Sequence, residues 1–400
     1  MWRRYFPGGS SVTTLRTALC ALMLCLAIPS TVFSQEPSDS PEAARIRQVV
    51  DQYMNRLLTR DTPGPGRRPG AIVGISLHGK RYFFHYGSAR DDGTPFTPET
   101  LVEIGSCTKV FTTTLFALAI NRGQIDPNAS ADKYMPEGYR LRGSARKMTA
   151  LELADFTSGM PDDPTNLPHV PLEKRGIEHY TVKDFLKWVS NRNPATPPPA
   201  PYLYSNSGIG LLSFLVDTAT HTRWQEQLDS QIIQPLGMRD TELRPSDEQR
   251  QRLARGHRAN GTDAPPWPIF AWYAAGGLRS TAADMLRFGE ANLGHKEVDG
   301  QPVTDELIAA MKLAQTPVYT LPSGNAKQAM AWVENLGSES ENDSGEQPAL
   351  HPEMVKNGGT VGFSTAIVLN HFKDAAIFIA VNWNGRNPAP TAVAIGRHLP

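Results

Sequence analysis

The chain has 400 residues, in which 40 acidic side chains balance 40 basic ones. A net charge of zero argues against nucleic-acid binding through bulk charge and against a polybasic membrane patch. The length allows two or three domains or one large composite unit, and it provides enough apolar residues for a substantial core.

The first 34 residues have the composition of a leader. Three arginines, and no acidic residue, come before the apolar stretch at residues 17–28. Small or apolar residues follow this stretch up to Ser34. This pattern predicts a secretory signal peptide over residues 1–34, and therefore a periplasmic or secreted protein. The alternative is a membrane anchor, but the apolar stretch is shorter than the roughly 20 residues that a spanning helix needs. We therefore expect no transmembrane helix in the mature chain, residues 35–400.

Two of the three cysteines, Cys20 and Cys25, lie in this leader. The mature chain retains only Cys107, so an internal disulfide and a cysteine-based zinc cluster are both excluded. We expect no metal and no cofactor. The sequence leaves the oligomeric state open.

Strand patterns occur near both ends of the mature chain, and helical patterns lie between them. Residues 41–58 have apolar residues at helical spacing, and residues 71–87 form two strand-like runs around a glycine turn. From about residue 106 to about 240, helical segments alternate with Pro- and Gly-rich loops.

After about residue 270 the pattern changes to strands, at "MAWVE" (330–334), "GFSTAIVLN" (362–370) and "AAIFIAVNW" (375–383), with a closing helix at 390–399 and a polar loop at 337–349. The simplest fold is α+β, with one sheet built from both ends of the chain (42–105 and about 270–400). A mostly helical part, about 106–269, is inserted between them.

The sequence "GSCTKVFTTTLFALAINRG" (105–123) places several reactive side chains before an apolar helix. Ser106 and Lys109 have the i, i+3 spacing that puts two side chains on one helix face. A serine becomes a nucleophile when a base takes its proton, and a lysine with a lowered pKa is such a base. Cys107 and Thr108 leave this face, so we expect both to be packing residues. A second S-x-x-K, "SARK" (144–147), is interpreted as a solvated basic loop.

A second group, Tyr204-Ser205-Asn206, lies between a Pro-rich loop and an apolar helix. A tyrosine near lysines is able to relay a proton, and an asparagine amide is able to hold a substrate carbonyl or orient a lysine. The alternative is a tyrosine that packs on the core beside an asparagine that caps the next helix.

A third group, Lys356-Asn357-Gly358-Gly359, is predicted at the end of an edge strand. Glycines at such a position let a ligand lie against the backbone, and the N–H of Gly359 is a candidate donor to an oxyanion. Lys356 is a candidate for binding a substrate carboxylate and for lowering the pKa of Lys109. The alternative is an ordinary Gly-rich hairpin turn.

In this order, S-x-x-K, Y-x-N and K-x-G resemble the three active-site elements of the β-lactamase-related serine hydrolases. This family includes class C β-lactamases, D,D-carboxypeptidases and endopeptidases of the cell wall, and related esterases. The resemblance extends over residues 42–398 and includes "AAGGLRSTAADMLRF" and "NGGTVGF". It implies the penicillin-recognising fold, an antiparallel sheet flanked by helices with a helical domain on one side.

The resemblance also implies a role for each matching residue. Ser106 would be the acylated nucleophile, Lys109 its base partner, and Tyr204 the proton shuttle. Asn206 would contact the side-chain amide of the substrate, and Lys356 would support the substrate carboxylate.

The oxyanion hole would consist of the N–H groups of Ser106 and Gly359. One departure is Asn357, which stands where many members have threonine, and it puts the preference for a free carboxylate in doubt. In "NWNGRNP" (382–388), the resemblance offers Asn387 and its polar neighbours as carboxylate contacts.

The resemblance implies a small-molecule substrate: a D-Ala-D-Ala-type peptide of peptidoglycan, a β-lactam, or both. The wide gap between Ser106 and Tyr204, and the lack of a Glu-x-x-x-Asn element inside it, favour a class C-like subtype over class A. An esterase and a slowly deacylating penicillin-binding receptor remain as alternatives. The chain has neither the H-E-x-x-H of a metal-dependent hydrolase nor the G-x-S-x-G of a triad hydrolase.

Overall fold

The computed structural model describes residues 40–59, 68–168, 170, 174, 176–193, 196–336 and 351–400. The predicted signal peptide and the polar loop at 337–349 lie outside these ranges. All described residues belong to one compact unit. Within them, no helix is long and apolar enough to cross a membrane.

The strands run antiparallel in every ladder of the described chain. In chain order they are β1 (Ala71–Leu77), β2 (Lys80–Tyr86), β3 (Val102–Glu103), β4 (Arg279–Ser280), β5 (Glu297–Val298), β6 (Gln301–Pro302), β7 (Tyr319–Thr320), β8 (Ala326–Gln328), β9 (Val333–Asn335), β10 (Glu353–Gly359), β11 (Ser364–Asn370) and β12 (Ala375–Val381). The main described sheet has the order β2-β1-β12-β11-β10-β9-β8-β7, so it joins both ends of the chain as predicted.

Helices cover this sheet and extend beyond it. In chain order they are α1 (Pro41–Thr59), α2 (Thr108–Asn121), α3 (Ala150–Ala154), α4 (Val182–Ser190), α5 (Asn206–Thr220), α6 (Trp224–Leu228), α7 (Asp247–Gln251), α8 (Ala282–Leu293), α9 (Asp305–Ala314) and α10 (Ala389–His398). The predicted first helix, the paired strands near residue 80 and the closing helix are all confirmed.

Alternate residues of β12 face two different helical layers, because successive side chains of a strand point to opposite faces. Ile377 and Ile379 pack in one apolar cluster with α1 and α10. Ala376 and Phe378 belong to a second cluster that contains α8 and α2. All seven residues of β12 are buried, which explains why its sequence is apolar throughout and does not alternate.

Three sequence-based predictions were incomplete. The region after about residue 270 was expected to contain strands and one closing helix, but it also contains α8, which packs on β1, β11 and β12, and α9, which packs on α2. The strand predicted at 330–334 begins only at Val333, after Ala331 takes a positive φ of 61°. The "SARK" segment forms a short 3₁₀ helix, Gly143–Lys147, rather than a loop, but its basic residues Arg146 and Lys147 are exposed as expected.

A buried ion pair joins the start of β10 to α10. Arg397 Nε donates to Glu353 Oε1 at 2.8 Å and Nη2 donates to Oε2 at 3.0 Å, and Glu353 is fully buried. We expect Arg397→Ala to lower the free energy of unfolding by about 3–5 kcal/mol, because it leaves a buried carboxylate without its cation. Urea unfolding measures this loss.

The matched control is Lys296→Ala, which removes an ion pair with Asp305 in which both side chains are exposed. We expect a far smaller loss there, because solvent screens exposed charges. Equal losses in the two variants would contradict the larger contribution to the free energy of unfolding that we assign to the buried pair.

Candidate active site

Ser106 lies in a 3₁₀ turn, Gly105–Cys107, that leads directly into α2. Although Ser106 lies in this turn and not in the α-helix, its side chain still meets that of Lys109, because Lys109 Nζ and the Ser106 hydroxyl oxygen are hydrogen-bonded at 3.0 Å. Cys107 and Thr108 are fully buried packing residues, as expected. Burial raises the pKa of the Cys107 thiol, which keeps it protonated and unreactive.

Lys109 is fully buried and its amine touches three uncharged acceptors. Besides Ser106, Nζ donates to Asn206 Oδ1 at 2.5 Å and to the carbonyl oxygen of Ala275 at 2.6 Å. Burial, and then the positive charge of Lys356, hold the pKa of Lys109 well below its usual value. A neutral amine has two hydrogens, which suit Asn206 and Ala275, and one lone pair, which suits the Ser106 hydroxyl.

The ring of Tyr204 lies between two lysines. Its centroid is 4.8 Å from Lys109 Nζ and 4.9 Å from Lys356 Nζ. Burial lowers the pKa of Lys356 to about 8 and raises the pKa of Tyr204 far above its usual value. Because burial disfavours charged forms, this site favours a protonated Tyr204 phenol beside a neutral Lys109 amine, whereas Lys356 is charged below a pH of about 8.

The nucleophile turn and β10 touch backbone to backbone, and glycines make this contact feasible. Gly105 has a φ of +49°, and a Cβ there would lie 2.5 Å from the oxygen and 2.7 Å from the nitrogen of Gly359. A Cβ on Gly358 would lie 2.1 Å from the carbonyl oxygen of Ile104. Larger residues at either position would separate Ser106 from the strand.

The third motif was predicted at the end of an edge strand, and this is correct only locally. In the described sheet β10 is an inner strand, between β9 and β11. However, β9 pairs only with residues 353–355, whereas β11 pairs with residues 354–359. The turn at Ser106 lies against β10 and β11.

A cavity opens at this junction. One side of it, the aromatic wall, consists of Trp267, Phe270 and Trp272. The rest of the lining consists of the predicted site residues Ser106, Asn206 and Gly359 together with Asp163, Ile177 and Gly276. A larger groove lined by Tyr180, Trp188 and their neighbours contains none of the predicted site residues. Chemistry at Ser106 therefore belongs to the smaller, aromatic-walled cavity.

The segment "NWNGRNP" does not supply a side chain to the cavity lining. Asn387 is exposed, and its Oδ1 accepts from the backbone N–H of Ala389 at 3.2 Å, where α10 begins. Arg386 is buried and donates to the carbonyl oxygen of Leu57. Asn357 is exposed on β10, beside the buried Lys356.

Sequence reasoning missed Glu103, a buried carboxylate three residues before the nucleophile. Its Oε1 accepts from the backbone N–H of Trp267 at 2.6 Å and its Oε2 accepts from the Thr360 hydroxyl at 2.7 Å. Glu103 therefore ties the aromatic wall to the residue that follows Gly359. A lone charge inside the apolar "LVEIG" was the available signal.

Comparison with known proteins identifies the family of this chain. The Beta-lactamase family model matches residues 46–399. The chain belongs to the beta-lactamase family. It is thus a serine hydrolase.

Several characterised relatives span this family member almost from end to end. A beta-lactamase of Psychrobacter immobilis is 26% identical over 388 residues, covering 92% of this chain and 91% of the relative. The D-alanyl-D-alanine-carboxypeptidase/endopeptidase AmpH of Escherichia coli (strain K12) is also 26% identical, with coverage of 92% and 91%.

A solved class C beta-lactamase superposes with a TM-score of 0.75 at 22% identity, covering 91% of this chain and 99% of that one. This similarity confirms the predicted α+β fold of the beta-lactamase family.

The glycine contact generates a prediction. We expect Gly105→Ala to slow acylation of Ser106 by a fluorescent penicillin at least about 100-fold, the usual effect of displacing one oxyanion donor. Its control is Gly93→Ala, at a glycine with a φ of +87° and open space around it. Both variants strain the backbone, but only the first collides with Gly359. Similar acylation rates in the two variants would refute the assigned role of the contact.

Proposed function

We propose that the chain is an exported serine hydrolase that cleaves amide bonds through an acyl-enzyme on Ser106. Its substrates would be D-Ala-D-Ala-type peptides of peptidoglycan, β-lactams, or both, with class C-like chemistry. The observation that carries the proposal is the Ser106 hydroxyl, which is hydrogen-bonded at 3.0 Å to the buried amine of Lys109, with the ring of Tyr204 beside the same amine. Export rests on the leader-like composition of residues 1–34.

Acylation follows from the protonation states that burial favours. Neutral Lys109 takes the proton of Ser106, whose oxygen attacks the substrate carbonyl. The N–H groups of Ser106 and Gly359 stabilise the oxyanion that forms. Tyr204 passes its proton to the leaving nitrogen, and the proton on Lys109 restores the phenol. Deacylation reverses these transfers, with water in place of the leaving amine.

Substrate binding uses the strand edge and the cavity. The Lys356 ammonium would bind the substrate carboxylate, and Asn357 and Gly358 would line the path of the substrate along β10. Because Lys109 occupies Oδ1 of Asn206, the amide nitrogen of Asn206 would donate to the substrate's own side-chain amide. Relatives named as beta-lactamases and as a D-alanyl-D-alanine-carboxypeptidase/endopeptidase support this range of substrates.

An esterase is the second candidate function. Trp267, Phe270 and Trp272 line the cavity beside Ser106, and such a wall suits an apolar acyl group. Asn357 replaces a hydroxyl that would bond a carboxylate, so the carboxylate site is weaker than in many members. The same nucleophile and proton relay would serve an ester.

The test compares the wild type with Ser106→Ala and with Cys107→Ser as its neighbouring control. Intact mass is followed after addition of a fluorescent penicillin, and turnover is measured with diacetyl-Lys-D-Ala-D-Ala and with p-nitrophenyl acetate. We expect one acyl adduct on the wild type and on Cys107→Ser and none on Ser106→Ala. An adduct that decays in seconds indicates a β-lactamase, and one that lasts for hours indicates a peptidase or receptor.

Two results would contradict the proposal. An adduct on Ser106→Ala would remove Ser106 as the nucleophile. A wild type that takes no penicillin and hydrolyses only the ester would replace the amide-bond function with the esterase.

The pKa of Lys356, lowered to about 8 by burial, generates a pH prediction. The amine is charged below that pKa and neutral above it, so kcat/KM for a substrate with a free carboxylate should fall as pH rises through about 8. Lys356→Arg should abolish this alkaline decline while lowering the overall rate, because a guanidinium stays charged. p-Nitrophenyl acetate, which has no carboxylate, is the control and should show no such decline. A decline that persists in Lys356→Arg would contradict this role.

A further inference from the structure

A second cluster of ligand-type side chains lies outside the lining of the cavity at Ser106. Asp91 follows β2, and His257 and Asp263 follow α7. One ligand atom of each residue lies within 4.8 Å of the other two. His257 Nε2 is 3.5 Å from Asp91 Oδ1 and 3.9 Å from Asp263 Oδ1. No motif marks this cluster, because Asp91 is far from His257 and Asp263 in the sequence.

The imidazole of His257 is held in one orientation. The residue is 4% exposed, its ring packs on Trp383, and its Nδ1 lies 3.0 Å from the carbonyl oxygen of Asn382. Because a carbonyl only accepts, Nδ1 carries a hydrogen and Nε2 is directed at the two carboxylates. Nε2 is buried and has no hydrogen-bond partner in the described part of the chain. A buried polar atom of this kind calls for a ligand or a proton.

The distances distinguish a proton from a metal ion. A protonated imidazole would hydrogen-bond a carboxylate at about 2.7–2.9 Å. Two atoms that are each about 2.1 Å from one tetrahedral zinc ion lie about 3.4 Å apart. The separations of 3.5 and 3.9 Å are closer to the second arrangement. The Asp91 side chain is 43% exposed, so it has room to close on an ion and leaves access for water.

Arginines support the proposed ligands from outside. Arg255 Nη2 donates to Asp263 Oδ2 at 2.8 Å, which directs Oδ1 towards His257, and Arg258 donates to the backbone carbonyl of Asp263. Outer hydrogen bonds of this kind orient ligands in metal sites.

We propose that Asp91, His257 and Asp263 bind one divalent transition-metal ion, for which zinc is the best match to one imidazole and two carboxylates, with water as the fourth ligand. The ion would fasten the loop after β2 to the segment around His257. The backbone N–H of His257 donates to Gly362, in the turn that follows Gly359. The ion would therefore stabilise the turn next to β10 without touching substrate.

The test uses the purified, tag-free protein after chelation and dialysis. We expect zinc titration by calorimetry to give one ion per chain, with mass spectrometry confirming the metal content and with a melting temperature that rises on zinc addition. Asp91→Asn and Asp263→Asn should each weaken zinc binding at least tenfold. The matched control is Asp92→Asn, a neighbouring carboxylate that hydrogen-bonds Thr94 and should leave zinc affinity unchanged.

A second measurement does not depend on the variants and so remains valid if one of them fails to fold. Crystals of the wild type are grown with zinc, and diffraction is measured on both sides of the zinc absorption edge. An anomalous peak within bonding distance of His257 Nε2 supports the site. A peak elsewhere, no bound zinc, or equal affinity in Asp91→Asn, Asp263→Asn and the wild type would overturn it.

Discussion

The structure of the site depends on a lysine amine that is buried without a bonded carboxylate. Three segments converge on Lys109: the turn at Ser106, the start of α5 at Asn206, and the Ala274–Ala275 carbonyls, which α2 holds through Lys109 and Thr112. An ammonium is costly in such surroundings, whereas a neutral amine satisfies two acceptors and still accepts a hydrogen bond from the serine. The almost complete burial of α2 thus creates the base as well as the core.

The other half of the site is formed by backbone atoms of the turn at Ser106 and of β10. Gly105 and Gly358 let the nucleophile turn approach β10 closely enough for the N–H of Gly359 to lie beside Ser106. The side chains that we propose as proton carriers, Lys109 and Tyr204, come from the helical part of the chain, and β10 comes from the sheet. Glu103 stabilises their junction, because its buried carboxylate is hydrogen-bonded to the Trp267 backbone and the Thr360 hydroxyl. Catalysis in this protein therefore needs both parts of the fold in fixed register.

Periodicity and local motifs predicted much of this arrangement. The apolar strands at both ends and the shared face of Ser106 and Lys109 are properties of neighbouring residues, which a sequence displays directly. The Ala275 carbonyl, the Glu103 contacts and the placement of Asn387 at the start of α10 depend on tertiary contacts between distant segments. No local pattern encodes such contacts, so none of them was predicted.

The central claim is that burial keeps Lys109 neutral and Tyr204 protonated before substrate binds. Neutron diffraction from a deuterated crystal at neutral pH tests this claim directly, because it locates the hydrogens. The account predicts two hydrogens on Lys109 Nζ, directed at Asn206 and Ala275, a Ser106 hydroxyl directed at Lys109, and a hydrogen on the Tyr204 oxygen. Three hydrogens on Lys109 Nζ and none on Tyr204 would contradict it and would make the tyrosinate the base.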